Sequence, residues 1–178
     1  MATVYGAGAT GGSSVSRSLE SAKPNASIGA NTADTVFDTI TLPAGVLAVD
    51  DQDWIRIIAW GTFTLDGVTP SATPSVRFGS TVIASTLFIS GGDGPWRIEA
   101  IVRRRTSITQ DSAAVGVVTS ATLNTVLEPL SATTPGETLA NAIAVTVRGT
   151  TGVGAGNGLT CLCVMVEFFS EAGGSAAT

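Results

Sequence analysis

The chain has 178 residues, of which 13% are charged and 44% hydrophobic, and its formal net charge is −5. It contains one lysine (Lys23) and no histidine, which excludes Ser-His-Asp and Cys-His catalysis, histidine-ligated metals and an imidazole switch. The acidic balance argues against a nucleic-acid binder, which carries a basic footprint. The charge content is about half the usual quarter of a soluble domain. With a mean hydropathy of +0.38 it does not read as disorder, and it predicts a surface partly covered by other protein.

Residues 1–35 form a Gly/Ala/Ser-rich segment with isolated apolar anchors at Val4, Tyr5, Val15, Leu19 and Ile28. Alone it buries too little apolar area to offset its ordering entropy, so it reads as either a loose tail or an arm ordered on a partner. Ser16–Ala22 is expected to form one or two helical turns ended by Pro24. The start, MATVYGAGATGG, has neither a basic n-region nor an apolar h-region, so no secretory signal is expected and synthesis in a cytoplasm is. Gly6-Ala7-Gly8-Ala9-Thr10-Gly11 spells a dinucleotide-binding fingerprint, but no second hydrophobic strand or terminal acid follows, so the match is attributed to glycine content.

From Val36 the apolar period is two. Strands are predicted at Val36–Thr41, Asp53–Leu65, Ser75–Phe78, Thr81–Ser90, Trp96–Thr109, Ala113–Leu127, Thr138–Arg148 and Leu159–Phe169. Gly79-Ser80 is read as a tight hairpin turn, and Gly91–Pro95 and Glu128–Glu137 as loops. In Asp53–Leu65 one face holds Ile55, Ile57, Ala59, Phe63 and Leu65, and the other Trp54, Arg56, Ile58, Trp60, Thr62 and Thr64. Trp96, Ile98, Ala100, Val102 and Arg104 likewise oppose Arg97, Glu99, Ile101, Arg103 and Arg105. The fold class expected is all-β, an eight-stranded antiparallel β-sandwich of jelly-roll type over residues 36–169, with an extended N-terminal arm (1–35) and a flexible tail (170–178). Several strands are apolar on both faces, whereas a lone sandwich shows one wet face per strand. Either loops or another subunit cover the second face.

Candidate sites are sparse. Cys161 and Cys163, two apart in a strand, would share one face and are read as buried, reduced small hydrophobes. Asp34, Asp38, Asp50, Asp51 and Asp53 could gather around Ca²⁺, but match no EF-hand spacing and read as turn formers. Arg103–Arg105 alternate faces, so Arg97, Arg103 and Arg105 form a basic stripe that meets either acids of a neighbouring protein or solvent. Asn25-Ala26-Ser27 is a glycosylation sequon in spelling only. The apolar run Leu159–Phe169, interrupted by Glu167, is too short to span a bilayer. No cofactor, metal, nucleic acid or membrane is expected.

Taken in order, Leu42-Pro43, Ile55–Gly61, Val76–Gly79, Trp96–Arg103, Ile143–Val147 and Val166-Glu167 resemble a jelly-roll module of tailed-bacteriophage virion proteins. The resemblance covers about residues 36–169 and excludes the arm. It implies a non-enzymatic homotrimer in the virion, assembled in the host cytoplasm. Its role would be a capsid decoration (cement) protein bound to the major capsid protein or another virion protein. The alternative it implies is a fibre or spike head binding host-surface glycan. An arm of 35 residues reaches up to about 100 Å when extended. Val4, Tyr5, Val15, Leu19, Ile28, Arg97, Arg103 and Arg105 are the candidate partner or subunit contacts.

Overall fold

The computed structural model describes residues 15–21, 26–30, 32–65, 70–87, 89, 92–118 and 126–170, the side chains of 15–21, 117–118 and 126–132 excepted. Among these residues it is all-β, without a helix. The strands are β1 (Val15–Ser21), β2 (Ala26–Ile28), β3 (Thr35–Leu42), β4 (Asp53–Leu65), β5 (Ala72–Phe78), β6 (Thr81–Ser85), β7 (Gly92–Arg104), β8 (Gln110–Val118), β9 (Val126–Thr133), β10 (Ile143–Thr151) and β11 (Asn157–Ser170). They form two antiparallel sheets. The seven-stranded sheet runs β1-β11-β4-β7-β8-β9, with β2 also on β11, and the four-stranded sheet runs β3-β10-β5-β6.

The period-two pattern fixes which face of each strand meets the core. Ile55, Ile57, Ala59 and Leu65 of β4 and Ile98, Ala100 and Val102 of β7 are fully buried, and from the small sheet Val76, Phe78 and Val147 meet them. Burial of this apolar set is the main force holding the sheets together, at about 1.5–3 kcal/mol per large side chain. The Gly79-Ser80 turn forms as expected, with Gly79 at φ +58 and Phe78 paired to Thr81. Glu137 holds this turn, its carboxylate accepting from the Ser80 amide at 2.6 Å.

Five expectations are corrected. Ser16–Ala22 is not helical: residues 15–21 are β1, paired antiparallel with β11 from Val15↔Ser170 to Ser21↔Val164, so a tertiary partner overrides the local spacing. Over the stretch where eight strands are expected, nine form, β3 to β11. The unexpected one is β9, most of which lies in the expected loop Glu128–Glu137. Its Pro129 is opposite Val115, which is tolerable because β9 is an edge strand. The Gly91–Pro95 loop is shorter than expected, since β7 begins at Gly92 and Asp93 pairs with Thr64. Finally, Cys161 and Cys163 do not share a face. The register on β4 shifts between them, Cys161 opposing Gly61 and Cys163 opposing Trp60. This β-bulge turns Cys161 into the core and Cys163 to the outer side.

Candidate functional site

The outer faces of the two sheets differ in chemistry. That of the small sheet carries Thr39 and Thr41 on β3, Thr146, Arg148 and Thr150 on β10, and Ser75 and Arg77 on β5, the wet face of an ordinary sandwich. Asp34 neutralises its arginines, at 3.1 Å from Arg77 and 2.8 Å from Arg148.

The large sheet is built otherwise. Trp60 on β4, Leu162 at the bulge of β11, Ile101 on β7 and Val115 on β8 are each 36–39% exposed. Trp60, Leu162, Met165 and Pro95 line a groove of about 540 Å³ that Thr62 and Arg97 border. At the other end of this face Trp54 stacks on Phe169, ring centroids 3.9 Å apart, with the Arg56 guanidinium 5.9 Å from the Phe169 ring. The charges between are paired within the chain. Arg56 Nε donates to Glu167 at 2.6 Å, Arg56 Nη1 lies 3.8 Å from Glu99, and Arg97 Nη2 donates to Glu99 at 2.8 Å.

The expected basic stripe meets this chain's own acids and carbonyls. Arg97 is held by Glu99, Arg103 donates to the Asp51 carbonyl, and Arg105 pairs with Asp111 and, at 2.6 Å, with Asp51. The Arg105 guanidinium beside Asp51 holds that carboxyl below its ordinary value. Arg104 takes Asp50 at 2.5 Å and the Leu47 carbonyl. The aspartates therefore diverge: Asp50 and Asp51 serve arginines, while Asp53 turns inward to accept from the Ala48 and Val49 amides at 2.6 and 2.7 Å. Among the described residues no three His, Cys, Asp or Glu side chains gather to hold a metal.

Of the arm anchors, Val4 and Tyr5 lie outside the described residues. Val15 and Leu19 sit in β1, opposite Ser170 and Val166 of β11, and Ile28 in β2 packs against the chain's own core. The first glycine run and the sequon's Asn25 also lie outside the described residues. The exposed residues of the large sheet were not among the expected contacts. Their signal was the second apolar face of β4 and β11, which marks a covered surface without saying which positions protrude.

The ends of the sandwich differ too. At the end that carries the β3–β4 and β7–β8 connections lies the arginine–aspartate network, with Ile108 (59% exposed) and Val49 (37%) protruding beside it. At the opposite end Leu87, Ile89 and Val153 are 58–70% exposed, and the connections 86–91 and 152–156 contain no charged residue.

Both cysteines are reduced thiols and buried. Burial, with the nearby Asp38 carboxylate, pushes the Cys161 thiol from its ordinary 9.0 up to about 12. At pH 8 about one such thiol in 10,000 is ionised, and the thiolate is the reactive form. In a Cys163→Ser protein, Cys161 is expected to ignore a disulfide reagent at pH 8 until denaturant is added, with absorbance at thiol release as the readout. The raised value also sets a sign. Between pH 9 and about 12 the unfolded state loses this proton first, so the stability contributed by the neutral thiol is present in full below pH 9 and is lost as the pH rises to about 12.

No protein-family model matches the chain, and no curated protein matches it.

Proposed function

We propose that the chain is a non-enzymatic structural protein of a tailed-bacteriophage virion, a homotrimeric capsid decoration (cement) module with a jelly-roll sandwich. The strand order supports the jelly roll. With β8 and β9 taken as an added hairpin and β2 as an extension of the arm, the remaining strands interleave as β1-β11-β4-β7 over β3-β10-β5-β6. Such interleaving supports two Greek keys of eight strands in facing sheets. The resemblance of the ordered strand motifs supports the virion assignment.

The observation that carries the decoration role is the contrast between the ends of the sandwich. An end with Leu87, Ile89 and Val153 protruding from uncharged connections suits a large protein surface, whereas at the other end the protruding Ile108 is surrounded by paired arginines and aspartates. Because β1 and β2 lie on the chain's own β11, residues 1–14 are the part of the arm left to clasp a neighbour. The fibre-head reading has one observation in its favour, the exposed indole of Trp60 in a groove beside Thr62 and Arg97, a surface on which a sugar ring can stack.

The test is the copy number of the chain in purified particles of the phage that encodes it, together with a particle reconstruction. Hundreds of copies on the shell are expected. A protein absent from the particle overturns the virion reading, and a few copies on a tail appendage overturn decoration in favour of the fibre head. Aspartate at Leu87, Ile89 and Val153 together is expected to abolish attachment to shells lacking the wild-type protein, read by co-sedimentation.

A further inference from the structure

We infer that the outer face of the seven-stranded sheet is the surface on which copies of this chain pack against one another, with Trp60, Leu162, Ile101 and Val115 at its centre. The inference deepens the homotrimer reading and rests on it only for the number of copies.

Three observations lead to a further copy as the occupant. The first is that the face is not closed by the chain's own described loops, for those four residues remain 36–39% exposed, while the small sheet turns threonines and serines outward. The small sheet exposes two isolated valines, Val36 and Val82, at its edge strands, whereas on the large sheet Trp60, Leu162, Ile101 and Val115 spread over four adjacent strands.

The second is charge. Arg56 and Arg97 on this face are matched by Glu99 and Glu167, and the four form one paired cluster. A charged side chain left unpaired in an interface costs several kcal/mol. Here each copy brings its own counter-ions, so two identical faces can be desolvated together without net charge and without like charges opposed. A partner selected for opposite charge would need a face with an excess of one sign. This face has none.

The third is size. At ~4.8 Å between strands and ~3.3 Å per residue, the four central strands β11, β4, β7 and β8 present roughly 700 Å² over residues 54–64 and their neighbours. A stable interface takes about 800 Å² from each partner. The face is therefore close to the size of one standard contact, and in a trimer it is shared between two neighbours and supplemented by the strands beside it, with the groove beside Trp60 and Leu162 as the recess into which a neighbour's side chains fit. In a trimer, each copy turns this face toward the common axis.

The test is mass in solution, by sedimentation velocity and light scattering at micromolar concentration. The wild-type chain is expected to run at three times its 17.9 kDa mass. Trp60→Glu with Leu162→Glu is expected to run as a monomer with an unchanged far-ultraviolet circular dichroism spectrum. Should that pair impair folding, Ile101→Lys, which alters one protruding side chain of β7, is expected to weaken association at least tenfold in dissociation constant. Val82→Glu, exposed on β6 of the small sheet, is expected to leave the trimer intact.

A wild-type monomer overturns both this inference and the homotrimer. A trimer that survives the Trp60/Leu162 and Ile101 substitutions overturns this inference alone. Monomeric wild type whose shell attachment is lost in those variants assigns the face to the shell protein instead. A wild-type trimer dissolved by the variants but absent from phage particles supports the interface and removes the decoration role.

Discussion

Replacing Gly61 with alanine is expected to lower the unfolding free energy by about 3 kcal/mol or more, and valine is expected to leave no stable native state. Gly61 sits in the middle of β4, opposite the bulge of β11, where a side chain on the inward face has nowhere to go. A methyl there falls far inside van der Waals contact distance of the Thr160 carbonyl oxygen and 2.8 Å from the Trp96 indole nitrogen. Neither neighbour is a flexible side-chain end. Thr160 is backbone in a paired strand, and Trp96 is 1% exposed in the core. The indole nitrogen also donates to that same carbonyl at 3.1 Å, tying β7 to β11 across the bare backbone of Gly61. Alanine must therefore push the two strands apart and lengthen this bond.

Urea denaturation at constant slope is the measurement. Trp96→Phe, which removes the donor but keeps an aromatic ring, is expected to cost about 1–1.5 kcal/mol plus its packing change. The double substitution is expected to fall short of the sum, because both act on one contact. An unchanged urea midpoint for Gly61→Ala would show that the bulge relaxes freely. The consequence reaches the surface as well. The bulge that Gly61 accommodates brings Leu162 out beside Trp60, so a protein that survives Gly61→Ala is expected to associate more weakly.

The same glycine shows how far the sequence can be read. A glycine inside an otherwise regular thirteen-residue strand is a known mark of a bulge or a close approach. Counting period two through Cys161 and Cys163 ignored it and put both thiols on one face. The faces of β4 and β7 were legible because alternation there runs without a break, and their buried residues are those expected. β9 was hidden by Pro129 and by a threonine-rich surround that reads as loop. β1 is not legible because Ser16–Ala22 followed by Pro24 reads locally as a helical turn and its stop, while its strand conformation comes from β11, about 150 residues away in sequence.

The charged residues give a parallel case. Arg103, Arg104 and Arg105 invite an external acidic partner, and Asp50 and Asp51 invite a cation. The fold lays the β3–β4 connection against the end of β7, and the two groups satisfy each other. Local composition holds no record of that approach. It does record the apolar surface: a low charge content and doubly apolar strands predict a covered face, and exposed apolar side chains stand on the large sheet (Trp60, Leu162, Ile101, Val115) and at both ends of the sandwich (Leu87, Ile89, Val153 and Ile108).

The connection that carries Asp50 and Asp51 is expected to be held by a third aspartate. Asp53→Ala is expected to cost about 2–4 kcal/mol, and Asp53→Asn much less. Asp53 is 2% exposed, and its carboxylate makes three bonds. One oxygen accepts from the Ala48 and Val49 amides, and the other accepts from the Ser170 hydroxyl at 2.6 Å. The group thus ties the β3–β4 connection to the last residue of β11 at the end where the arginine–aspartate network lies. Alanine removes all three bonds and orphans two backbone donors, which is the costly case for a hydrogen-bonded group. Asparagine keeps an oxygen for the two amides and turns its NH₂ toward the Ser170 oxygen, which can accept. The isostere therefore separates geometry from charge. If Asn and Ala prove equally damaging, the carboxylate charge carries the effect rather than the hydrogen-bond pattern. Amide exchange locates the change: in Asp53→Ala, protection at Ala48 and Val49 is expected to fall at least tenfold, with β4 and β7 core amides shifting only by the global loss. Because this end bears the charged network and not Leu87, Ile89 and Val153, the same variant is expected, under the proposed function, to keep the wild-type mass in solution and the wild-type attachment to shells at temperatures below its lowered melting point. Loss of either function in a folded Asp53→Ala protein would relocate the contact surface to the charged end.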